Sequence, residues 1–356
     1  MARIISALSG GVDSAVATAR MLDDGHDVMA VHLVLHKADT AVSEARSVAK
    51  YLGVPFEVWD LSDVFQRQVL ECFVGEYATG RTPNPCVMCN RTIKFGELLR
   101  RASELGFDGL VTGHYARVIR LDDGAVELQR AVHVAKDQSY VLSVLTQDCL
   151  RRVWLPLGAS AKSEVREEAV ARGLPVAEKS ESMDLCFVPD GDTGGWLAQW
   201  LGTQSGEIVD EAGDVLGRHD GIYRYTIGQR RGLNLRQPAD DGQPRFVVGL
   251  DGETGQVVVG PRAHLEVWGL LGDDAVWTCG VAPDAPFEAV VQVRAHSEEH
   301  AAEVVAVCDG RGVEVRLHSP IIGVAPGQTV ALYDGTRVVG SARIARTIRD
   351  AATGKM

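Results

Sequence analysis

The sequence has no apolar run near the roughly 18 residues that a membrane-spanning helix needs. Its N-terminus carries one Arg and a short apolar strand around Ile4 to Leu8, then Ser9-Gly10-Gly11. That pattern lacks the longer apolar core and small-residue cleavage site of a secretory signal. Cysteine is sparse, with seven residues spread over 356. A secreted disulfide scaffold is shorter and denser in Cys. A cytoplasmic location is therefore expected, where thiols pack, ligate metal or react. Positive charge is in deficit: 36 Lys and Arg stand against 48 Asp and Glu, a net charge of −12. The deficit disfavours a general nucleic-acid binder but leaves room for a basic patch on an acidic body. Internal repeats and low-complexity tracts are absent. The rest is ordinary globular composition, 46% hydrophobic and 24% charged, too apolar for disorder outside the last few residues. The length predicts two or three domains.

Residues 1–115 alternate strand-like and helix-like segments. Arg3 to Leu8, Asp27 to Leu35, Pro55 to Leu61 and Asp108 to Thr112 read as strands. Val12 to Asp24, Val42 to Leu52 and Thr92 to Leu105 read as helices, stopped by Gly25, Gly53 and Gly106. Ser62 is the expected cap of a further helix. This order predicts a parallel sheet with helices on both faces. Lys162 to Arg172 adds another helix. Between about 187 and 262 glycine becomes frequent and the strands shorten, to Glu207 to Asp210, Arg224 to Ile227, Phe246 to Leu250 and Val257 to Val259. Beyond about 265, five strands predict a small β-barrel: Ala289 to Arg294, Glu303 to Val307, Val313 to Leu317, Thr329 to Tyr333 and Arg337 to Ile344.

Ser9-Gly10-Gly11-Val12-Asp13-Ser14 follows the first strand and opens the first helix. Small residues let the backbone approach an anion, and N–H groups at a helix start attract phosphate. The plainer alternative is a tight turn. No GxxxxGK(S/T) is present, so the ordinary nucleoside-triphosphatase loop is excluded. No GxGxxG follows the strand, which argues against dinucleotide binding. Thr82-Pro83-Asn84-Pro85-Cys86-Val87-Met88-Cys89-Asn90 holds two thiols three apart on a rigid loop before a helix. A helix start favours thiolate. A structural zinc half-site is the alternative, but the chain has no second CxxC. Cys186, between Leu185 and Phe187, reads alone as a small buried residue. His114 and His133 read alone as satisfied buried histidines, and Arg230 and Arg231 as a solvated face. Residues 218–245 hold six arginines and no lysine beside Tyr223 and Tyr225, a composition suited to phosphates and stacked bases.

Together these motifs resemble a known group. SGGVDS after the first strand is similar to the pyrophosphate loop of the N-type ATP pyrophosphatases, which split ATP to AMP and pyrophosphate while adenylating a carbonyl oxygen. With TPNPCVMCN and the Ser180 to Phe187 segment, the chain resembles the tRNA-uridine 2-sulfurtransferases, or tRNA 2-thiouridylases. Thr112 to Arg117, Lys136 to Tyr140, Thr226 to Gly232 and Pro326-Gly327-Gln328 extend the resemblance over nearly the whole chain.

The resemblance implies an α/β fold. A Rossmann-like N-type ATP pyrophosphatase catalytic domain spans 1–187. A small mixed central domain with tRNA contacts spans 188–262, and a C-terminal β-barrel spans 263–351. It implies 2-thiolation of the tRNA wobble uridine, position 34, through adenylation of uracil O2 and sulfur transfer from a cysteine persulfide. The implied cofactors are ATP and Mg²⁺. The implied partners are tRNA and a persulfide sulfur donor, either a cysteine desulfurase or a sulfur carrier, with no membrane. Ala7, Leu8, Ser9, Gly10, Gly11, Val12, Asp13, Ser14 and Gly113 would hold ATP, with Leu33 near the adenine. Cys89 would be the catalytic thiol and Cys186 the persulfide carrier. Asn84, Pro85 and Cys86 would lie beside the target base. His114, Lys136, Asp137, Gln138, Arg294 and Gln328 would touch tRNA.

Three departures from the group's pattern stand out. Ala15 replaces a frequent Ser or Thr, the segment after Leu35 is short, and Cys86 stands where many members have Asp. The last gives the site a third catalytic candidate. Cys86, Cys89 and Cys186 would suit a 4Fe–4S cluster with one open iron. A spare or resolving thiol, or zinc, are the alternatives for Cys86. Two other function classes stay open: an adenylating enzyme acting on a small molecule, and a noncatalytic RNA- or metal-binding protein.

Overall fold

The structure is a computed structural model and describes residues 1–36, 40–180, 185–188, 190–235, 242–295 and 297–349. Its first strand, Arg3–Ala7, is apolar on both faces, with Ile4 and Ile5 fully buried. Such a strand belongs in the middle of a covered parallel sheet, and there it lies. Asp27–Val34 pairs with one edge of it and Gly109–Val111 with the other, both in parallel. Phe56–Asp60 and Val153–Trp154 extend the sheet outward to five parallel strands. Helices cover both faces, as expected. Ile5 packs with Phe95, Leu98 and Leu110 on one side. Ile4 packs with Val16, Val48 and Val111 on the other. The chain leaves the first strand toward one edge and returns on the opposite one. The crevice above the C-terminal ends of Arg3–Ala7 and Gly109–Val111 is thus a topological switch point, where open α/β sheets bind ligands.

Several local expectations are corrected. The helix expected from Thr92 begins at Pro85 and runs as Pro85–Cys89, a π-helical Asn90–Glu97 and an α-helical Leu98–Glu104. Ser62 is the first helical residue, not the cap. Its N–H and Oγ–H both donate to Asp60 Oδ1, at 2.9 and 2.6 Å. A helix at Thr193–Leu201 has no counterpart in the sequence reading, because Gly194 and Gly195 mask it. Asp192 caps it by accepting from Gly195 N at 2.8 Å. Arg224 to Ile227 is not a strand, since Ile222–Arg224 forms a 3₁₀ turn. The middle sheet uses Val215–His219 instead, beside Gly206–Asp210, Gln256–Gly260 and Phe246–Asp251.

The C-terminal strands form the expected antiparallel barrel, with six strands rather than five. The extra one, Glu266–Trp277, closes it by pairing with both Gly312–Ile322 and Arg337–Ile348. Gly269, Gly272 and two Asp residues break its alternation, and bulges absorb them. Barrel residues Ala331, Tyr333 and Val338 share a core with Leu128 and Tyr140 of the first unit. The expected disordered tail and the shortened segment after Leu35 fall largely on residues 350–356 and 37–39, outside the described residues.

Candidate active site

The loop after the first strand is built for an anion. Gly10 has φ +75°, and a Cβ there would lie 2.8 Å from the Ala41 carbonyl oxygen, so only glycine fits. No side chain caps helix Val12–Asp23, which leaves its first-turn N–H groups for a phosphate. Buried Ser14 braces the loop. Its Oγ accepts from Ser9 N at 3.2 Å, lies 3.1 Å from Ser9 Oγ and donates to Gly11 O at 3.0 Å. Leu8 and Val12 are buried beneath it, and Ala7 and Leu33 are half-buried at the strand ends.

Asp13 is held by three bonds. Lys162 Nζ donates to its two oxygens at 2.6 and 2.7 Å, and the Tyr115 hydroxyl donates at 2.7 Å. Lys179 Nζ donates to Gly10 O at 3.1 Å and pairs with Glu44. Sequence reasoning missed both lysines. For Lys162 a signal existed. It opens helix Lys162–Ala171, where the helix dipole disfavours a cation. A compensating acid was implied. Lys179 carries no comparable signal.

The thiol segment starts at Asn84, whose Oδ1 accepts from Cys86 N at 3.0 Å and Val87 N at 3.3 Å. Pro85 at the first helical position sets the turn. Cys86 lies in that first turn and is exposed, whereas Cys89 is 7% exposed. The expected thiolate bias is corrected for Cys89. The helix-start effect fades beyond the first turn, and burial pushes the Cys89 thiol up to about 11. Lys94 opposes that rise, while Cys186 and Cys86 add to it.

Cys186 reaches Cys89 through packing. Leu185, Phe187 and Val188 enter the same apolar cluster as Cys89, with Phe65, Phe73 and Ile93. Thiols 97 residues apart in sequence thus come into electrostatic reach of one another. Residues 181–184 of that motif lie outside the described residues. Among the described residues no three His, Cys, Asp or Glu side chains are gathered as a metal site. Cys86, Cys89 and Cys186 therefore do not present the convergent ligand set that a cluster or zinc requires.

Gly113, His114 and Tyr115 connect the two halves. Tyr115 bonds Asp13 on the anion loop. His114 lies beside Phe95 of the thiol helix, its ring 5.7 Å away, with Nδ1 2.8 Å from Thr112 Oγ1. Burial, helped by the Lys94 charge, pushes His114 well below its ordinary value, so it is neutral at pH 7. A Cβ on Gly113 would lie 2.7 Å from the Asp13 carbonyl carbon and 2.8 Å from Ser14 N. Gly113→Ala is expected to displace the anion loop at a cost of about 1–3 kcal/mol. Isothermal titration should show ATP affinity falling at least about tenfold. Unchanged affinity would remove Gly113 from the loop's support.

The other residues expected at RNA are placed unevenly. Asp137 is buried, and its carboxylate accepts from Ala131 N, Ser139 N, Ser139 Oγ and Arg130 Nη1 at 2.6 to 3.3 Å. A buried acid so fully bonded shapes its own turn. Gln138 Oε1 accepts from Tyr115 N at 2.9 Å. Lys136 is half-buried, and exposed Arg294 donates to Gly323 O at 2.6 Å.

Gln328 donates its side-chain amide to the Thr82 carbonyl. Thr82 N donates to Pro326 O at 2.8 Å, and Thr82 Oγ1 lies 2.9 Å from Thr226 Oγ1. The entry to the thiol helix is thus bonded to the barrel and to the middle unit at a single residue. Further along, Arg91 pairs with Asp274 of the barrel's first strand.

Three family models match successive stretches of the chain. They are described as a tRNA methyl transferase HUP domain over residues 2–190, a tRNA methyl transferase PRC-barrel domain over 194–261 and an aminomethyltransferase β-barrel domain over 267–344. The tRNA-specific 2-thiouridylase MnmA of Nocardioides sp. is 51% identical, over 98% of this chain and 100% of that one. The protein of the same name from Acidothermus cellulolyticus is 52% identical over 99% of each. That of Mycolicibacterium vanbaalenii is 51% identical over 96% of this chain and 99% of its own. With an anion loop at the switch point of its sheet, and half of its residues shared over essentially full length, the chain belongs to the tRNA-specific 2-thiouridylase family.

Proposed function

We propose that this chain is an ATP-dependent tRNA-uridine 2-sulfurtransferase acting on the wobble uridine, position 34. The observation that carries the reading is the Gly113-His114-Tyr115 segment, which packs on the anion loop at one end and beside the thiol helix at the other. Nucleotide activation and sulfur chemistry then share one crevice. The units 1–187, 188–262 and 263–351 serve as catalytic domain, RNA-contacting middle domain and barrel. A cytoplasmic setting fits a chain with no described helix long and apolar enough to cross a membrane.

In the first step uracil O2 attacks the α-phosphorus of ATP, and pyrophosphate leaves. The amides of Gly11 to Ser14 and the two lysines neutralise the departing phosphates. Lys162 holds Asp13 until the nucleotide arrives, so the acid is pre-positioned. Asp13 offers the hard carboxylate oxygen that Mg²⁺ prefers beside a triphosphate, and the ion would supply charge neutralisation there. In the second step the outer sulfur of a Cys186 persulfide attacks C2, and AMP leaves with the former O2. The Cys89 thiolate then attacks Cys186 Sγ, leaving sulfur on C2 as the thiocarbonyl. The resulting Cys89–Cys186 disulfide is reopened by a dithiol reductant that supplies two electrons. A cluster on Cys86, Cys89 and Cys186 is not part of this reading, because those side chains do not form a three-ligand set.

The test is nucleoside analysis of tRNA incubated with the protein, ATP, Mg²⁺ and a persulfide donor. 2-Thiouridine is expected at the wobble position, with one pyrophosphate released per thiolation. Pyrophosphate release that proceeds equally without tRNA would favour a small-molecule substrate and overturn the reading.

A further inference from the structure

We propose that Lys94 is the charge partner of Cys89, an ammonium set beside the thiol by a π-helical turn and supporting its thiolate during sulfur transfer. The proposal deepens the sulfur-transfer reading of Cys89 and rests on it for its function. After Cys89 the chain leaves α-helical geometry, and Asn90–Glu97 is π-helical. Such turns are rare and concentrate at functional sites. Pairing from i to i+5 widens the turn and brings side chains five apart onto one face. Lys94 is the fifth residue after Cys89. In an unbroken α-helix the two would point about 140° apart.

Flanking residues lock the turn from both sides. Ile93 is fully buried in the cluster that holds Cys89 and Phe187. Phe95 is buried in the core under the sheet, its ring beside His114. Lys94 therefore stands between residues of two cores. It is half-buried, and among the described residues it has neither an ion pair nor a hydrogen bond. A partly desolvated ammonium without a carboxylate is costly. Among the described residues its charge acts on Cys89 and His114. His114, held neutral chiefly by burial and further by Lys94, does not compete for the cation's field. Burial opposes ionisation of Cys89 most, and the charged or ionisable groups acting on it among the described residues are Lys94, Cys186 and Cys86. Two are thiols that oppose ionisation, so Lys94 is the one that favours it.

The experiment is peptide-resolved alkylation of Cys89 by iodoacetamide across alkaline pH. It uses the full-length protein and its Lys94→Met and Lys94→Arg variants, without tRNA or ATP. Lys94→Met is expected to move the Cys89 profile upward by about one pH unit, lowering the rate near neutrality about tenfold. Lys94→Arg should restore most of that loss, because the charge remains. The wobble-thiolation kcat should fall in step while KM for ATP holds. A Lys94→Met profile superimposed on wild type, with the fold intact by circular dichroism, would overturn the proposal. Lys94→Gln replaces it if the Met variant does not fold. The labelling needs no sulfur transfer, so a wild-type enzyme unable to thiolate tRNA would remove the functional reading and leave the Lys94–Cys89 coupling separately measured.

Discussion

In Cys186→Ser, tRNA-dependent pyrophosphate release is expected to continue near the wild-type rate while 2-thiouridine formation falls at least about a thousandfold. The separation follows from the site's two halves. Adenylation is assigned to the anion loop, Asp13 and the lysines, whereas the residues flanking Cys186, Leu185 and Phe187, belong to the apolar cluster of Cys89. Sulfur delivery needs a persulfide carrier that protein partners can load, and Cys186 is exposed whereas Cys89 is buried. Cys89→Ser should also abolish 2-thiouridine but stop one step later, with Cys186 joined to tRNA through the transferred sulfur, detectable as a reductant-sensitive protein–tRNA adduct. Cys86→Ser should cost only a few-fold, since Cys86 sits in the helix's first turn, beside the relay. Full thiolation by Cys186→Ser would end the carrier assignment. Abolition by Cys86→Ser would instead make Cys86 a third obligatory thiol.

Asp13→Ala is expected to reduce tRNA-dependent pyrophosphate release by about 10²–10³-fold, the usual consequence of losing one preorganised charge at a reacting phosphate. The fold should survive. The Asp13–Lys162 pair is mostly buried, at 34% and 15% exposed, and Lys162 is left without its carboxylate, so the loss costs about 1–3 kcal/mol and the melting temperature falls by several degrees. Ser14→Ala should act on the same step through a different cause, by unpinning Ser9 from the loop. The measurement is a coupled pyrophosphate assay with and without tRNA, beside a thermal melt. Wild-type release by both variants would dissociate the loop from ATP.

The sheet was legible because its central strands are apolar on both faces and glycines stop its helices. The anion loop was legible because its side chains are small and its position is fixed by the strand before it. What escaped detection did so for physical reasons. Glu266–Trp277 reads as irregular, since a strand interrupted by bulges loses period-two alternation. Thr193–Leu201 is held by tertiary packing of Leu197 and Trp196, which outweighs the poor propensity of its paired glycines. Asp137 and Gln328 carry structural bonds that the sequence does not show. Both are polar residues in family motifs expected at RNA; within the chain, Asp137 braces its own turn and Gln328 donates its amide to Thr82. Lys94 escaped because a lysine five residues past a thiol lies on the wrong face of any ordinary helix. Only the backbone reveals that the helix there is not ordinary.

The bonds at Thr82 bear on how such a chain evolves and how it can be cut. A nucleotide-binding unit joined to accessory domains by loose linkers can exchange those domains with other proteins. Here residues 2–190, taken alone, would keep the anion loop whole. They would lose Pro326 from the Thr82 amide, Gln328 from its carbonyl and Thr226 from its hydroxyl. Arg91 would lose Asp274 on the far side of the thiols. Such a fragment would retain its nucleotide chemistry but lose registry in the segment that carries Cys86 and Cys89. Three-part architecture of this kind resists shuffling: the reactive loop is a joint product of all three parts, and recombination that replaces one of them unsettles the thiols first.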